Sequence, residues 1–151
     1  MKIDTINKKI LYLLQEDARR SYKDIAAELK RSETTIRDRI KAMERIGIIQ
    51  GYTALIDKTA LGLNFFAIIY MNPNSSINLD ETAEKIKKVK NVLRIYQISG
   101  DHRLAVFIVA QSYQKLKEII QTQLIPLGLK DEEILTVLEA DKEFISPIEI
   151  P

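Results

Sequence analysis

The sequence predicts an α+β protein in which an N-terminal winged helix-turn-helix precedes a C-terminal ferredoxin-like unit of order βαββαβ. Three observations carry this. Apolar residues recur at helical spacing from Ile6 to Ile46, the period shortens to that of strands after Gly47, and strand-like and helix-like runs alternate from Leu63 onward. The 151 residues suffice for one ordinary domain or two small ones. The expected divisions are residues 1–50 for the helix-turn-helix, 51–62 for a wing strand and hinge, and 63–151 for the second unit.

The first helix starts behind Asp4, a capping residue, and carries Ile6, Ile10, Leu11, Leu13 and Leu14 on one face. A polar stretch leads to Ser21, with Asp24 three residues on in the manner of a capping box. Tyr22, Ile25, Ala26 and Leu29 then trace a second helix. After the short break Lys30-Arg31-Ser32, the Ser32 hydroxyl can cap a third helix whose inward stripe is Ile36, Ile40, Met43 and Ile46. Gly47 closes it, because a helix C-terminus favours glycine.

Two helices separated by so short a break form the helix-turn-helix pattern, whose second helix enters the major groove of DNA. With Ile36 inward, about 100° of rotation per residue turns Thr34, Arg37, Asp38, Lys41 and Arg45 outward. Arg37 suits a guanine edge; Thr34 and Thr35 suit bases or phosphate near the helix start; Lys41 and Arg45 suit phosphates. Asp38 either accepts from a cytosine amine or balances Arg37 or Lys41. With Ser32 these are the candidate DNA-binding residues. A plain three-helix bundle with a solvated charged face is the alternative. After Gly47, Ile48 to Asp57 reads as two short strands about Gln50-Gly51, a hairpin wing.

Charge is unevenly placed. Residues 1–62 hold 13 Lys and Arg against 9 Asp and Glu, whereas the remainder holds 10 against 12. A basic excess beside the helix-turn-helix suits double-stranded DNA, since phosphate neutralisation supplies most non-specific affinity. The absence of cysteine excludes disulfides, thiolate zinc sites and cysteine nucleophiles. His102 is the only histidine, so a multi-histidine metal site is excluded, and no nucleophile motif is present. No enzyme activity and no cofactor are expected. The N-terminus lacks the apolar run of a signal peptide, and the longest apolar stretch, Phe65 to Met71, is too short to span a bilayer. A cytoplasmic protein without membrane contact is expected.

The segments Tyr22-Lys23-Asp24-Ile25-Ala26-Ala27-Glu28-Leu29, then Ser32, Thr35, Ile36, Arg39 and Ile40, then Met43-Glu44-Arg45-Ile46-Gly47-Ile48-Ile49 resemble the N-terminal domain of the Lrp/AsnC (leucine-responsive and asparagine regulator, feast-famine) family. The resemblance extends over the whole chain. It implies that Ser32 to Arg45 is the recognition helix and that Gly47 to Ile56 leads through a wing to a hinge.

Leu63 to Met71 is a continuous apolar, aromatic and β-branched run, expected to be a strand buried on both faces. Asn72-Pro73-Asn74-Ser75-Ser76 breaks it. A helix is expected from about Asn78 to Lys90, a second strand from Val92 to Ser99, a turn over Gly100 to Arg103, and a third strand from Leu104 to Ala110. Tyr113, Leu116, Ile119 and Ile120 mark a second helix ending near Gln123, and Glu133 to Lys142 a fourth strand. This order leaves one sheet face uncovered unless subunits cover one another. The resemblance implies association through the sheets into a homodimer, with an octameric ring as a larger option. Paired recognition helices would then read a palindrome-like site.

In the resembled family the turn between strands two and three carries Gly-Asp-x-Asp-aromatic and forms part of an amino-acid effector pocket. Here it reads Ser99-Gly100-Asp101-His102-Arg103-Leu104, with Arg103 at the acidic position and Leu104 at the aromatic one. Arg103 can pair bidentately with an effector carboxylate or simply with Asp101. The candidate effector residues are Ser99, Gly100, Asp101, His102 and Arg103, with Thr136 on the fourth strand as a wall. The competing readings are an ordinary turn needing a glycine and a solvent-exposed His102 whose titration tunes ligand binding. The function expected is sequence-specific transcriptional regulation modulated by a small molecule, an amino acid by analogy. An effector-independent architectural DNA-binding protein is the alternative.

Overall fold

The computed structural model describes residues 3–74, 78–141 and 147–150. Contacts divide the chain into two compact units, Met1–Leu55 together with Lys142–Pro151, and Ile56–Asp141.

The first unit holds α1 (Thr5–Glu16), α2 (Tyr22–Leu29) and α3 (Glu33–Arg45). Each starts at the polar residue that can satisfy its orphan amides. The Asp4 carboxylate accepts from the Asn7 N–H at 2.8 Å, Ser21 Oγ from Asp24 N–H at 3.1 Å, and Ser32 Oγ from Thr35 N–H at 3.1 Å. At Ser21 the box is modified, because the Asp24 carboxylate accepts a hydrogen bond from the Ser21 hydroxyl, at 2.6 Å, instead of reaching back to a backbone amide. Ile10, Leu13, Ile25, Ala26, Ile36, Ile40 and Met43 form the core. Each fully buried isoleucine among them contributes about 1.5–3 kcal/mol of apolar transfer. Ile46, expected in that stripe, is instead half exposed. It is the C-cap of α3, past the last turn that α1 and α2 cover. Gly47 follows at φ 76°, the left-handed conformation the helix end requires.

The expected wing hairpin is not formed within the chain, since Ile48 to Asp57 contains no strand. A two-residue turn about Gln50-Gly51 would need left-handed residues, yet Gln50 is absent from the positive-φ set and Gly51 lies at φ 158°, nearly extended. An isolated hairpin is also marginal in water. Ile48 and Ile49 bend back on the end of α3, their amides bonded to the Met43 carbonyl and Ile49 packed on the core, and the rest of the segment is exposed and without regular structure.

The second unit is a four-stranded antiparallel sheet of order β2-β3-β1-β4, formed by β1 (Phe65–Pro73), β2 (Val92–Gln97), β3 (Leu104–Ala110) and β4 (Leu129–Thr136). With α4 (Leu79–Ile86) and α5 (Tyr113–Ile119) the order is βαββαβ. Its core gathers Ala67, Ile69, Met71, Leu104, Val106 and Ile108 of the central strands against Ile86, Leu116, Ile119 and Ile120. β1 is not buried on both faces. Ala67, Ile69 and Met71 are buried, while the alternating Phe66, Ile68 and Tyr70 are only half-buried on the other face.

Other boundaries move as well. β1 runs Phe65–Pro73 rather than Leu63–Met71, so Asn72 and Pro73 continue the strand that they were expected to break, and β2 ends at Gln97 rather than Ser99. α4 ends at Ile86 rather than Lys90, and the chain turns through Lys87–Lys90 to Asn91 at φ 66° before β2. The helix after β3 continues past Ile119 as one π turn, Ile120–Leu124, and one 3-10 turn, Ile125–Leu127, that ends at Gly128. β4 begins at Leu129, four residues before the expected Glu133, and ends at Thr136. The exposed polar run Lys130–Glu133 concealed it, because an edge strand whose one fully buried residue is Leu129 lacks the alternation of a covered strand. Lys142, Ser75 and Ser76 lie outside the described residues.

Candidate nucleic-acid interface and effector turn

α3 is set on the core by Ile36, Ile40 and Met43, so the rotation that buries them exposes Thr34, Asp38, Lys41 and Arg45. Among the described residues none of Asp38, Lys41 and Arg45 has an ion pair, so the anticipated balance of Asp38 against Lys41 or Arg37 is not made. Ser32 is exposed but committed to the cap, and its Oγ lies 2.7 Å from Thr35 Oγ1, so both hydroxyls are occupied by the helix start. Arg37 departs from the outward face. It is half-buried, and its Nε is buried without a partner among the described residues. Only about 100° from Ile36, it sits at the edge of the core stripe rather than opposite it.

Two contacts that the sequence did not single out fix α3. Arg39 Nη1 donates to Asp4 Oδ2 at 2.7 Å and to Asn7 Oδ1 at 3.0 Å, tying α3 to the cap of α1. The Asn7 N–H and then Arg39 hold the Asp4 carboxyl below its ordinary value. Tyr52 Oη donates to Glu44 Oε1 at 2.9 Å, anchoring the segment after α3 to that helix. Burial and then the Glu44 carboxylate push the Tyr52 phenol up to about 12. Arg39 was visible in the sequence only as a motif position; its pairing joins residues 35 apart.

In the second unit the turn after β2 brings Ser99, Gly100, Asp101, His102 and Arg103 to one end of the sheet. Gly100 lies at φ 119°, with nothing near a would-be Cβ, so its requirement is conformational and not steric. Asn72 clasps the turn: its Oδ1 accepts from Arg103 N–H at 3.0 Å and its Nδ2 donates to the Asp101 carbonyl at 3.0 Å. The side chains then diverge. His102 is not the solvent-exposed group expected; it is half-buried, stacked on Tyr70 at 5.8 Å, with Nδ1 3.8 Å from Glu133 Oε2. Arg103 lines a cleft of about 410 Å³ with Asn72, Pro73, Asn74, Leu79, Lys130 and Asp131. Its guanidinium makes no pair with Asp101 or with any other described residue.

Thr136 is not brought to this cleft within one chain. It pairs with Ala67, whereas the turn's Leu104 pairs with Met71. Four residues of strand separate them, roughly 13 Å. Of the cleft's lining only Arg103 was a candidate from the sequence; Lys130 and Asp131 were not singled out, and Asn72, Pro73 and Asn74 were legible only as the residues closing an apolar run.

Comparison with known proteins agrees with both halves. The sequence profile described as AsnC-type helix-turn-helix domain matches residues 3–44, and that described as Lrp/AsnC ligand binding domain matches residues 64–144. The HTH-type transcriptional regulator LrpA of Pyrococcus horikoshii is 38% identical over 122 residues, covering 81% of this chain and 86% of that protein. The fold is shared with a transcriptional regulator from Neisseria meningitidis solved in complex with L-Met, with TM-score 0.88, 22% identity and 96% of each chain covered. It is shared also with E. coli AsnC, with TM-score 0.86, 21% identity, and 98% and 100% of the two chains covered. This chain therefore belongs to the Lrp/AsnC family of DNA-binding transcriptional regulators.

Proposed function

We propose that this chain is a sequence-specific regulator that works in the cytoplasm as a homodimer or a larger ring on palindrome-like DNA, with its affinity or assembly set by an amino-acid effector. The observation that carries the DNA half is the outward face of α3, where Thr34, Asp38, Lys41 and Arg45 stand exposed, without ion pairs among the described residues, on a helix seated by Arg39 and its core stripe. A polar helix face that carries two unpaired cations combines base-edge and phosphate contacts. The effector half is supported by the clasped turn opening on a cleft of about 410 Å³, within the size range of small-molecule sites, and by the L-Met named in the complex of the Neisseria meningitidis neighbour. The half-buried aromatic face of the sheet supports association through it.

Selection of binding sites from random duplexes, followed by titration at fixed salt with and without amino acids, tests the proposal. The expected result is a two-fold symmetric site bound about 10³-fold or more tighter than unrelated DNA, with an affinity that one amino acid changes. Equal affinity for all duplexes with a steep salt dependence would instead establish an architectural protein.

A further inference from the structure

The cleft beside the effector turn has a charge composition that selects among ligands. Arg103 and Lys130 are the cations of its lining and Asp131 the anion. Lys130 stands opposite Asn72 in the β1–β4 register, and Arg103 is bonded to Asn72 on the β3 side. The two cations therefore flank one residue of β1 from neighbouring strands, roughly 10 Å apart at the backbone.

Both cations are available to a ligand. The Arg103 guanidinium has no hydrogen bond or ion pair among the described residues, and Lys130 Nζ has only the long 3.8 Å approach to Asp131 Oδ2. Asp131 is placed by an irregularity in the ladder. The register shifts between Tyr70 and Asn72, and Asp131 takes φ 56° there, a left-handed conformation unusual for a residue other than glycine. Bulges of this kind re-aim side chains beside functional sites. Asn72 holds the turn from both sides, so the position from which Arg103 projects is fixed before a ligand arrives.

We propose that this cleft binds an acidic amino acid, its two carboxylates paired with Arg103 and Lys130 and its ammonium with Asp131. The inference rests on the effector reading above and narrows it to a ligand class. A neutral amino acid would leave one of the two cations unpaired. A zwitterion with a second carboxylate supplies two negative groups and one positive, matching the lining charge for charge. Replacing the side-chain carboxylate by its isosteric amide removes one charge-assisted bond with little change of shape.

Calorimetric titration of the full chain with L-glutamate, L-aspartate, L-glutamine, L-asparagine, L-leucine and L-methionine, at matched ionic strength, tests this. Glutamate or aspartate should bind at least tenfold more tightly than its amide. One of R103Q and K130Q, the one that removes the side-chain carboxylate's partner, should erase that ratio, and the other should weaken acid and amide alike, with both variants keeping the wild-type melting curve. A neutral amino acid bound more tightly than both acidic ones would overturn the inference and leave the effector reading standing. Heat from none of the six would overturn the effector reading itself. An acid-to-amide ratio unchanged in R103Q and K130Q together would place the selecting group elsewhere and overturn the assignment of this cleft.

Discussion

The side-chain amide of Asn72 grips the peptide backbone on both sides of His102, accepting from Arg103 N–H at 3.0 Å and donating to the Asp101 carbonyl at 3.0 Å. One residue at the end of β1 thus sets the shape of a turn about thirty positions later in the chain. The Arg103 N–H is shared, since it also lies 3.3 Å from the Met71 carbonyl.

Asn72→Ala should therefore loosen the turn without unfolding the sheet. Removing both bonds leaves the Asp101 carbonyl to water and the Arg103 amide with its longer partner only, a cost of about 1–2 kcal/mol. Urea denaturation should read that loss, and effector affinity should fall further than stability does because Arg103 is no longer pre-positioned. Unchanged effector affinity in a destabilised N72A protein would show that the clasp serves folding alone.

Asp4 predicts a pH dependence with a definite sign. Its carboxyl is held below the ordinary 3.8, first by the Asn7 N–H and then by Arg39. The folded chain therefore favours the charged form, and its contribution is full above about pH 4–5 and fades as pH falls through the lowered folded value. D4A should melt at a lower temperature than wild type near neutrality, and the gap should narrow in acid. A gap constant from pH 7 down to pH 2 would mean that the carboxylate charge contributes nothing.

On α3, the exposed cations and the flanking arginine should separate by their effects on DNA. K41A and R45A should weaken binding to all sequences alike and each reduce the salt slope by about 1. R37A should cost about 1–3 kcal/mol on the selected site and relax preference at one base pair, provided that the side chain swings from its half-buried position. Loss that is equal on every duplex would make Arg37 a phosphate contact. Fluorescence anisotropy across a salt series distinguishes the two.

The parts of the molecule legible in the sequence are those that local chemistry determines. Asp4, Ser21 and Ser32 each mark a helix start because a cap bonds an amide two or three residues away, within one sequence window. The apolar stripe of α3 was legible for the same reason, and with it Thr34, Asp38, Lys41 and Arg45. β4 was misplaced because an edge strand is defined by its partner, and its start at Leu129 is visible only once Pro73 is seen opposite it. The wing failed because strand-like residues need a ladder, and Ile48 to Asp57 finds none in its own chain. Lys130 and Asp131 reach the cleft through the β1–β4 register and its bulge, information no single stretch of sequence contains.

Tyr52 offers a spectroscopic check on the anchor between α3 and the segment that follows it. Its phenol, pushed up to about 12 by burial and by Glu44, should ionise after an ordinary tyrosine near 10. Because the folded value is raised, the contribution is full below pH 10 and is lost as pH rises toward 12. The tyrosinate absorbance of wild type should carry a late-titrating component that Y52F removes and E44Q shifts downward. A late component surviving in Y52F would belong to another tyrosine.

The sheet's outer face sets the last expectation. Phe107 meets Tyr96 edge-on at 5.6 Å and Phe66 at 6.3 Å, so three aromatic rings from three adjacent strands cluster on the face that α4 and α5 do not cover. Rings this large left half in water favour burial against another surface, and a second copy of the same sheet would supply one with matching two-fold symmetry. Phe107→Asp places a charge at the centre of that cluster and should leave a monomer where wild type gives the proposed dimer by light scattering, with the helical circular-dichroism signal retained. Binding to a symmetric DNA site should then fall toward that of a single half-site, because two recognition helices no longer arrive together. A variant that stays dimeric would move the association surface off the sheet, to the exposed segment around Tyr52, Leu55 and Ile56.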